Sequence, residues 1–171
     1  MKASSIIVAL GARLFTWNRS VMEFWARRAK IVAPSDTPWT PLRKDPRECT
    51  VALVTTAGAH LASDTPFDMS DRRGDPSYRE IPSDTPGRLL AVTHDYYDHR
   101  DADRDVNVVF PIDRLRELSG SGEIGKPAPL HYSFMGHVTE PHVATLRDVT
   151  SREVARRLHE GGADLVLLSP A

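Results

Sequence analysis

Two apolar runs, at residues 50–56 and 163–170, constrain the fold of this chain more than any other feature. Neither run shows the strict apolar–polar alternation of a strand that faces water on one side. A strand that is apolar along its length is buried on both faces, which is typical of a parallel sheet covered by helices. Helical patterns occur at 111–118 and at 152–159, the second opened by a capping-box pattern at 150–153. The sequence therefore predicts an α/β fold, Rossmann-like or flavodoxin-like, with a mostly parallel sheet and flanking helices.

The chain divides into three predicted regions. Residues 1–33 carry apolar side chains three or four positions apart, which predicts an N-terminal amphipathic helical segment. Residues 34–48 form a proline-rich linker, because residues before proline avoid the helical conformation, and residues 49–171 form the α/β domain. The last predicted strand has no helix after it to cover its apolar surface. We therefore expect a domain that is incomplete at its C-terminus, either covered by another polypeptide or an incomplete copy of a longer protein.

Composition excludes several classes of function. The chain has 22 Lys and Arg residues against 23 Asp and Glu residues, so no net charge attracts it to nucleic acid or to an anionic membrane. Cys49 is the only cysteine, which excludes an internal disulfide, a CxxC pair and a multi-cysteine zinc site within this chain. Phosphate-binding glycine loops and serine-hydrolase motifs are also missing. We expect a cytoplasmic protein that binds a small molecule, with no nucleic-acid partner and no stable membrane insertion.

Residues 93–107 contain a high density of polar and charged side chains. This segment holds two histidines, five aspartates, two arginines and two tyrosines. Apolar runs flank it at 89–92 and 108–111, and both are expected to be buried strands. Binding sites in parallel sheets form beyond the carboxyl ends of the strands, so this loop, the turn at 58–60 and residues 169–171 should cluster at one edge. The residue types allow a divalent-metal site, a proton relay or a salt-bridge network that fixes the loop.

Several segments together resemble a known family. They are residues 51–58, 74–82, 94–107, 110–118, 122–125, 131–136 and 162–170. As an ordered set they are similar to the glycine/sarcosine/betaine reductase selenoprotein B family, especially its shorter D-proline reductase-like branch. The resemblance implies a reductase component that cleaves a carbon–heteroatom bond of an amino-acid-like substrate, with a selenocysteine or cysteine in a Cys-rich motif and a thiol donor. In the family this motif follows the strand matched here by 165–170, and Cys49 does not align with it.

The resemblance implies that two chains each supply part of one active site. We expect this chain to be one subunit of a split reductase, inactive alone, whose companion carries the Cys-containing C-terminal half and supplies the nucleophile. Two other classes of function stay open. One is a metal-dependent lyase or hydratase-like subunit with a His/Asp site, and the other is a non-catalytic scaffold subunit.

The leading hypothesis assigns roles to individual side chains. A histidine acts as general acid toward the leaving group, and arginine pairs with a substrate carboxylate. The candidate catalytic residues are His94, Asp95, Asp98 and His99. The candidate substrate-binding residues are Gly58, His60, Tyr97, Arg100, Asp103 and Arg104. The metal-dependent alternative would use His94, His99 and Asp103, because imidazole and carboxylate ligands suit zinc, iron or cobalt.

Overall fold

The computed structural model describes residues 40–171 and the isolated positions 20, 23, 24 and 27. Apart from those positions, the predicted helical segment 1–33 and the first part of the linker 34–48 lie outside the described residues. The chain separates into two compact units. One consists of Met1–Arg43 with Asp95–Asp98, and the other of Lys44–His94 with His99–Ala171. The strands and helices given below all belong to the second unit.

The main sheet is organised around β1 (Thr50–Thr55). Strand β7 (Leu165–Ser169) pairs with it in parallel over five residue pairs. The opposite edge of β1 pairs, also in parallel, first with β5 (Lys126–Pro127) and then with β6 (Leu130–Phe134). Strand β3 (Tyr78–Pro82) is antiparallel to β6. The predicted α/β fold with a mostly parallel sheet is therefore confirmed.

The remaining elements connect and cover this sheet. A separate antiparallel ladder joins β2 (Ala59–Leu61) to β4 (Leu90–Val92). The helices are α1 (Arg100–Arg104), α2 (Ile112–Gly120), α3 (His142–Thr145) and α4 (Ser151–Glu160), and a π-helical turn, Leu146–Thr150, connects α3 to α4. Short 3₁₀ turns lie at Pro46–Glu48, Gly87–Leu89 and Val106–Val108. Within the described part of the chain, no helix is long and apolar enough to cross a membrane.

Both faces of β6 are buried, so His131 and Ser133, the polar residues that alternate with its apolar side chains, are buried as well. On one face, Tyr132 and Phe134 pack against Val154 of α4. On the other face, the ring of His131 lies edge-on to the Phe110 ring, with 6.1 Å between the ring centres. The side chains on both faces of this strand therefore contact other parts of the protein and are buried.

His131 closes a gap in the backbone ladder between β5 and β6. The pairs Val51–Pro127 and Val54–Tyr132 are three residues apart on β1 and five apart on the partner strands. The Leu53 N–H lies in this gap and donates to Nδ1 of His131 at 3.0 Å. Because Nδ1 accepts, the neutral ring carries its proton on Nε2. Burial lowers the pKa of His131 to about 4, so the ring stays neutral at neutral pH.

The predicted strand at 108–111 is wrong. Val106–Val108 is a 3₁₀ turn, and Asp105 caps it by accepting a hydrogen bond from the Asn107 N–H at 3.0 Å. Val106, Val109 and Phe110 are nevertheless buried. A short apolar run records burial but does not distinguish a strand from a turn that packs on the core.

Two further expectations need correction. The apolar run before the charged loop contributes β4, which lies in the small antiparallel ladder and not in the parallel sheet. The capping box at 150–153 does not form, because the π-helical turn continues directly into α4. The Thr150 hydroxyl instead donates to the Pro76 carbonyl at 2.8 Å. Strand β3 was missed, because it lies in a stretch without sustained apolar periodicity.

Candidate functional site

The carboxyl ends of β1 and β7 are joined to each other at one edge of the sheet. The Thr56 N–H donates to the Ser169 carbonyl at 3.2 Å. The Ala171 N–H donates back to the Thr56 hydroxyl oxygen, also at 3.2 Å. Residues 169–171 are therefore held beside the turn that leaves β1.

Gly58 brings the end of β4 to the same edge. Its N–H donates to Phe134 at the end of β6 at 2.9 Å, and its carbonyl accepts from the Thr93 N–H at 3.0 Å. Gly58 has φ +71°, and a Cβ at this position would lie 2.5 Å from the Thr93 carbonyl oxygen. Only glycine combines this backbone conformation with such a close approach. The structure therefore places Gly58, a predicted substrate-binding residue, as the backbone junction that positions the loop.

His94 lies buried at the centre of this edge. A Cβ built on Gly136, just after β6, would lie 3.3 Å from Nε2 of His94, 2.9 Å from the Thr56 carbonyl oxygen and 3.0 Å from the Ala171 carbonyl oxygen. The imidazole therefore faces a narrow space bounded by the ends of β1, β6 and β7. The absence of a side chain at Gly136 leaves room for the ring.

The electrostatics of this position determine what His94 can do. Burial lowers its pKa to about 4, and repulsion from His137 and His99 adds to the effect. At neutral pH the ring is therefore uncharged, and the burial that disfavours the imidazolium also makes the ring a weak proton acceptor. The general-acid role expected for a histidine does not fit His94 in this environment, whereas hydrogen bonding by the neutral ring does.

His60 supports the residue that precedes His94. Its Nδ1 lies 2.7 Å from the Leu61 carbonyl oxygen and its Nε2 lies 2.8 Å from the Thr93 hydroxyl oxygen. A carbonyl only accepts, so Nδ1 carries the proton and Nε2 accepts from the hydroxyl in the neutral ring. The ring is buried and both nitrogens bond to protein. This geometry suits positioning of Thr93 better than direct contact with a ligand through the ring nitrogens.

A cavity of about 560 Å³ lies between β4 and the segment that includes α1. This volume is within the range of small-molecule sites. Two predicted substrate-binding residues, Asp103 and Arg104, line it, whereas Gly58 and His60 do not. The other lining residues are Gly87, Arg88, Leu90, Ala91, Val92, Ala102, Asp105, Val106, Asn107 and Asp113. The lining thus combines carboxylates, guanidinium groups and an apolar wall.

One side of the cavity is fixed by a hydrogen-bond network around Asn107. Its amide donates to Asp105 at 2.7 Å and to Asp113 at 2.9 Å, and its carbonyl oxygen accepts from the Asp113 N–H at 2.9 Å. Arg116 pairs with Asp113 and donates to the Ser83 carbonyl at 2.6 Å. The hydrogen bond from Asn107 is the main factor that lowers the pKa of Asp113, so this carboxylate stays ionised. The network ties the cavity wall to α2.

Sequence reasoning did not find this network. Asp105, Asn107 and Asp113 carry a weak local signal, since Asp and Asn are common caps of turns and helices. Arg116 was not a candidate, because its partners Ser83 and Thr85 are about thirty positions earlier in the chain. Only the tertiary structure brings them together.

The predicted metal ligands are not assembled as a set. His99 and Asp103 lie one helical turn apart and are hydrogen-bonded, with Nδ1 and Oδ1 separated by 2.9 Å. Among the described residues, no group of three or more His, Cys, Asp or Glu side chains is arranged to hold a metal ion. His94 lies instead at the sheet edge described above.

The other candidates are distributed over both units. Asp95, Tyr97 and Asp98 belong to the unit that includes Met1–Arg43. Arg100 is the exposed first residue of α1. The structure therefore supports two groupings within the α/β unit, the sheet edge around His94 and the cavity with Asp103 and Arg104.

The fold and this edge site define an α/β protein with a buried neutral histidine beyond the carboxyl ends of parallel strands. Residues 32–171 match the family model described as Glycine/sarcosine/betaine reductase selenoprotein B. The chain belongs to this family, and its similarity to a D-proline reductase subunit places it in the D-proline reductase-like branch. The resemblance seen in the sequence is thereby confirmed. No solved structure matches the chain.

Three curated relatives are similar to this chain. D-proline reductase subunit gamma of Acetoanaerobium sticklandii is 39% identical over 144 residues, covering 83% of this chain and 57% of the relative. Betaine reductase complex component B subunit beta of Peptoclostridium acidaminophilum is 31% identical over 152 residues, covering 83% of this chain and 30% of the relative. Glycine reductase complex component B subunit gamma of Carboxydothermus hydrogenoformans is 30% identical over 141 residues, covering 77% and 30%. The chain thus spans only part of the length of each relative.

Proposed function

We propose that this chain is a subunit of a selenoprotein B-like reductase complex that acts on a carbon–heteroatom bond of an amino-acid-like substrate. The observation that carries the proposal is membership of the family, together with 39% identity to D-proline reductase subunit gamma across 83% of this chain. The chain contributes the pocket and a neutral histidine that hydrogen-bonds to the attacking group. A companion chain contributes the reactive thiol or selenol.

The cavity beside β4 suits a zwitterionic substrate. Arg88 and Arg104 would pair with the substrate carboxylate, and Asp103 with its ammonium group. The exposed Asp101–Arg104 ion pair, at 3.1 Å, is weak enough to be exchanged for a bound carboxylate. Leu90 and Val92 supply an apolar wall for the carbon skeleton.

The nucleophile has to come from outside the described residues of this chain. Cys49 is fully buried, and its thiol donates to the Asp45 carbonyl at 3.3 Å. It precedes β1, whereas His94 lies beyond the carboxyl ends of the strands. A buried thiol at the opposite edge of the sheet cannot reach a substrate there. This position supports the proposal that a companion chain supplies the Cys-containing or Sec-containing motif.

The proposed reaction is a two-electron reduction. The bond between carbon and its heteroatom breaks, each of the two atoms gains one hydrogen, and two thiols of the donor are oxidised to a disulfide. The attacking group must first lose its proton, because the thiolate or selenolate is the nucleophile. His94, neutral at neutral pH, would hydrogen-bond to the attacking group, and the proton passes to solvent because the lowered pKa of the buried ring makes it a weak base.

The proposal is tested by co-expression with the product of the adjacent reading frame, followed by native mass spectrometry and a reductase assay. The assay uses D-proline, betaine or glycine, which are the compounds in the relatives' names, with dithiothreitol as thiol donor. We expect a defined heteromer that reduces one of them and loses activity when the companion's cysteines are changed to serine. A folded chain that forms no heteromer, or a heteromer that reduces none of the three, contradicts the proposal.

A further inference from the structure

The tetrapeptide Ser-Asp-Thr-Pro occurs twice in the chain, at 63–66 and at 83–86. The first copy is held by Arg79 of β3, which donates to the Thr65 carbonyl at 2.8 Å and to the Pro66 carbonyl at 3.0 Å. Both hydrogen bonds go to the backbone of the tetrapeptide. The position of this segment therefore depends on the side chain of Arg79.

Several further contacts fix the Arg79 side chain, which is only 12% exposed. The guanidinium donates to the Ser77 hydroxyl at 2.8 Å and to the Tyr78 carbonyl at 2.9 Å, and it lies 3.7 Å from the Asp75 carboxylate. Its carbon also lies 4.3 Å from the centre of the Phe67 ring. A planar guanidinium can donate several hydrogen bonds and stack on a ring at the same time, which a lysine ammonium cannot do in the same way.

Phe67 connects these contacts to the sheet edge at which His94 lies. Its buried ring meets the buried His60 ring edge-on, with 6.4 Å between the ring centres. Nε2 of His60 lies 2.8 Å from the hydroxyl oxygen of Thr93, the residue directly before His94. A continuous series of contacts therefore leads from Arg79 to the residue that precedes His94.

We infer that Arg79 is a positioning residue for His94. It holds segment 63–66 and the Phe67 ring, the ring fixes His60, and His60 fixes the start of the loop that carries His94. A close-packed interior transmits the displacement of one buried ring to its neighbours. This inference rests on the proposed function, in which His94 hydrogen-bonds to the attacking group. Because Arg79 acts only through His94, its loss cannot lower turnover more than the loss of His94 itself.

Arg116 provides a matched comparison, because it holds the second copy of the same tetrapeptide. It donates to the Ser83 carbonyl at 2.6 Å and to the Thr85 carbonyl at 3.0 Å. This copy leads directly to Gly87 and Arg88, which line the cavity. The two arginines thus support different parts of the proposed site, one the sheet edge and the other the cavity.

The experiment measures the steady-state kinetics of the heteromer with the substrate that it reduces and dithiothreitol as thiol donor. The test variant, Arg79→Lys, keeps the charge but loses the planar group. A second variant, Phe67→Leu, keeps an apolar side chain but loses the ring, and it carries the test if Arg79→Lys does not fold. Each is made alone and together with His94→Asn, and Arg116→Lys is made for comparison. Circular dichroism checks that every variant is folded.

A second measurement does not depend on activity. The ring signals of isotopically labelled histidines are recorded by NMR in this chain and in its variants. The exposed His159 is the internal control. We expect the signals of His60 and His94 to shift in Arg79→Lys and to stay unchanged in Arg116→Lys, with the His159 signal unchanged in both.

We expect Arg79→Lys to lower kcat by about three- to tenfold with little change in KM, and Phe67→Leu to lower it less. Neither change should lower kcat further once His94 is replaced, because two changes that act through one group are not additive. Arg116→Lys should instead raise KM with little change in kcat.

Three results overturn the positioning role of Arg79. They are a loss of kcat that adds fully to that of His94→Asn, an equal loss of kcat in Arg116→Lys, and signals of His60 and His94 that do not shift in Arg79→Lys. If the wild-type heteromer reduces none of the three substrates, the proposed function itself fails. The NMR spectra then decide by themselves whether Arg79 fixes the two histidines.

Discussion

His94 and His131 are both buried, and both stay neutral at neutral pH because burial lowers their pKa values to about 4. An unfolded histidine titrates near 6.5, so between these values the unfolded chain binds more protons than the folded one. Stability is therefore complete above pH 6.5 and is lost as the pH falls toward 4. Each histidine accounts for a loss of about 3 kcal/mol at most.

This pH dependence is tested with His131→Asn. The amide oxygen can still accept from the Leu53 N–H but does not titrate. We expect the variant to be less stable than wild type at pH 7, yet to lose about 3 kcal/mol less between pH 7 and pH 4. Urea unfolding at several pH values measures the difference. His159→Asn, at an exposed position in α4, is the control and should keep the wild-type slope.

Replacing Gly58 or Gly162 with alanine would measure two different costs in stability. At Gly162 the cost is backbone strain alone, and at Gly58 it is backbone strain plus a steric clash. Both have positive φ, +71° and +74°, but a Cβ at Gly58 meets the Thr93 carbonyl oxygen at 2.5 Å and one at Gly162 meets nothing within 4 Å. We expect Gly162→Ala to cost about 1 kcal/mol from backbone strain alone. Gly58→Ala should cost at least about 2 kcal/mol more, because the end of β4 has to move. Equal losses in thermal unfolding would show that the close approach to Thr93 is not maintained.

The role of His94 is tested in the heteromer. We expect His94→Asn to lower turnover by about tenfold or more, with a small change in KM, because the hydrogen bond from the imidazole to the attacking group is lost and the cavity is unchanged. His159→Asn should retain full activity. The scaffold alternative predicts the opposite result, namely that replacing both His94 and His99 with alanine leaves the activity of the complex intact.

At the scale of elements, the wall of the cavity depends on the connection between α1 and α2. Asn107 links Asp105 to Asp113, and Asp113 is held in turn by Arg116. Asn107→Ala leaves the half-buried Asp113 without two of its hydrogen bonds. We expect a loss of about 1 to 3 kcal/mol in the free energy of unfolding and weaker substrate binding. Asp101→Asn, which breaks only the exposed pair with Arg104, should cost less than about 1 kcal/mol and is the control.

The elements also show what could be predicted from the sequence. The runs at 50–56 and 163–170 predicted the strands β1 and β7. The burial expected of both strands holds for β1, whereas Val166, Leu167 and Leu168 of β7 are exposed. The run at 108–111 is not a strand, because it continues from the 3₁₀ turn that Asp105 caps. The sequence also predicted that three segments lie at one edge of the sheet, because the carboxyl ends of parallel strands meet there. These segments are Gly58, the start of the charged loop and residues 169–171. The cavity could not be predicted, since Arg88 and Asp113 reach it from segments with no shared pattern.

At the scale of the whole molecule, the proposed function makes this chain one part of a larger assembly. The chain has a cavity of about 560 Å³ and a buried neutral histidine, but its one thiol, that of Cys49, is buried beside Asp45. Under the proposed function, the companion brings the nucleophile to the edge where His94 lies.

The stoichiometry of turnover in the purified heteromer tests the central claim most directly. Consumption of the amino acid and oxidation of dithiothreitol are measured together, by chromatography and by thiol titration. The account predicts one molecule of amino acid cleaved for every two thiols oxidised, and no cleavage by either chain alone. Cleavage without thiol oxidation, or full activity of this chain by itself, would contradict it.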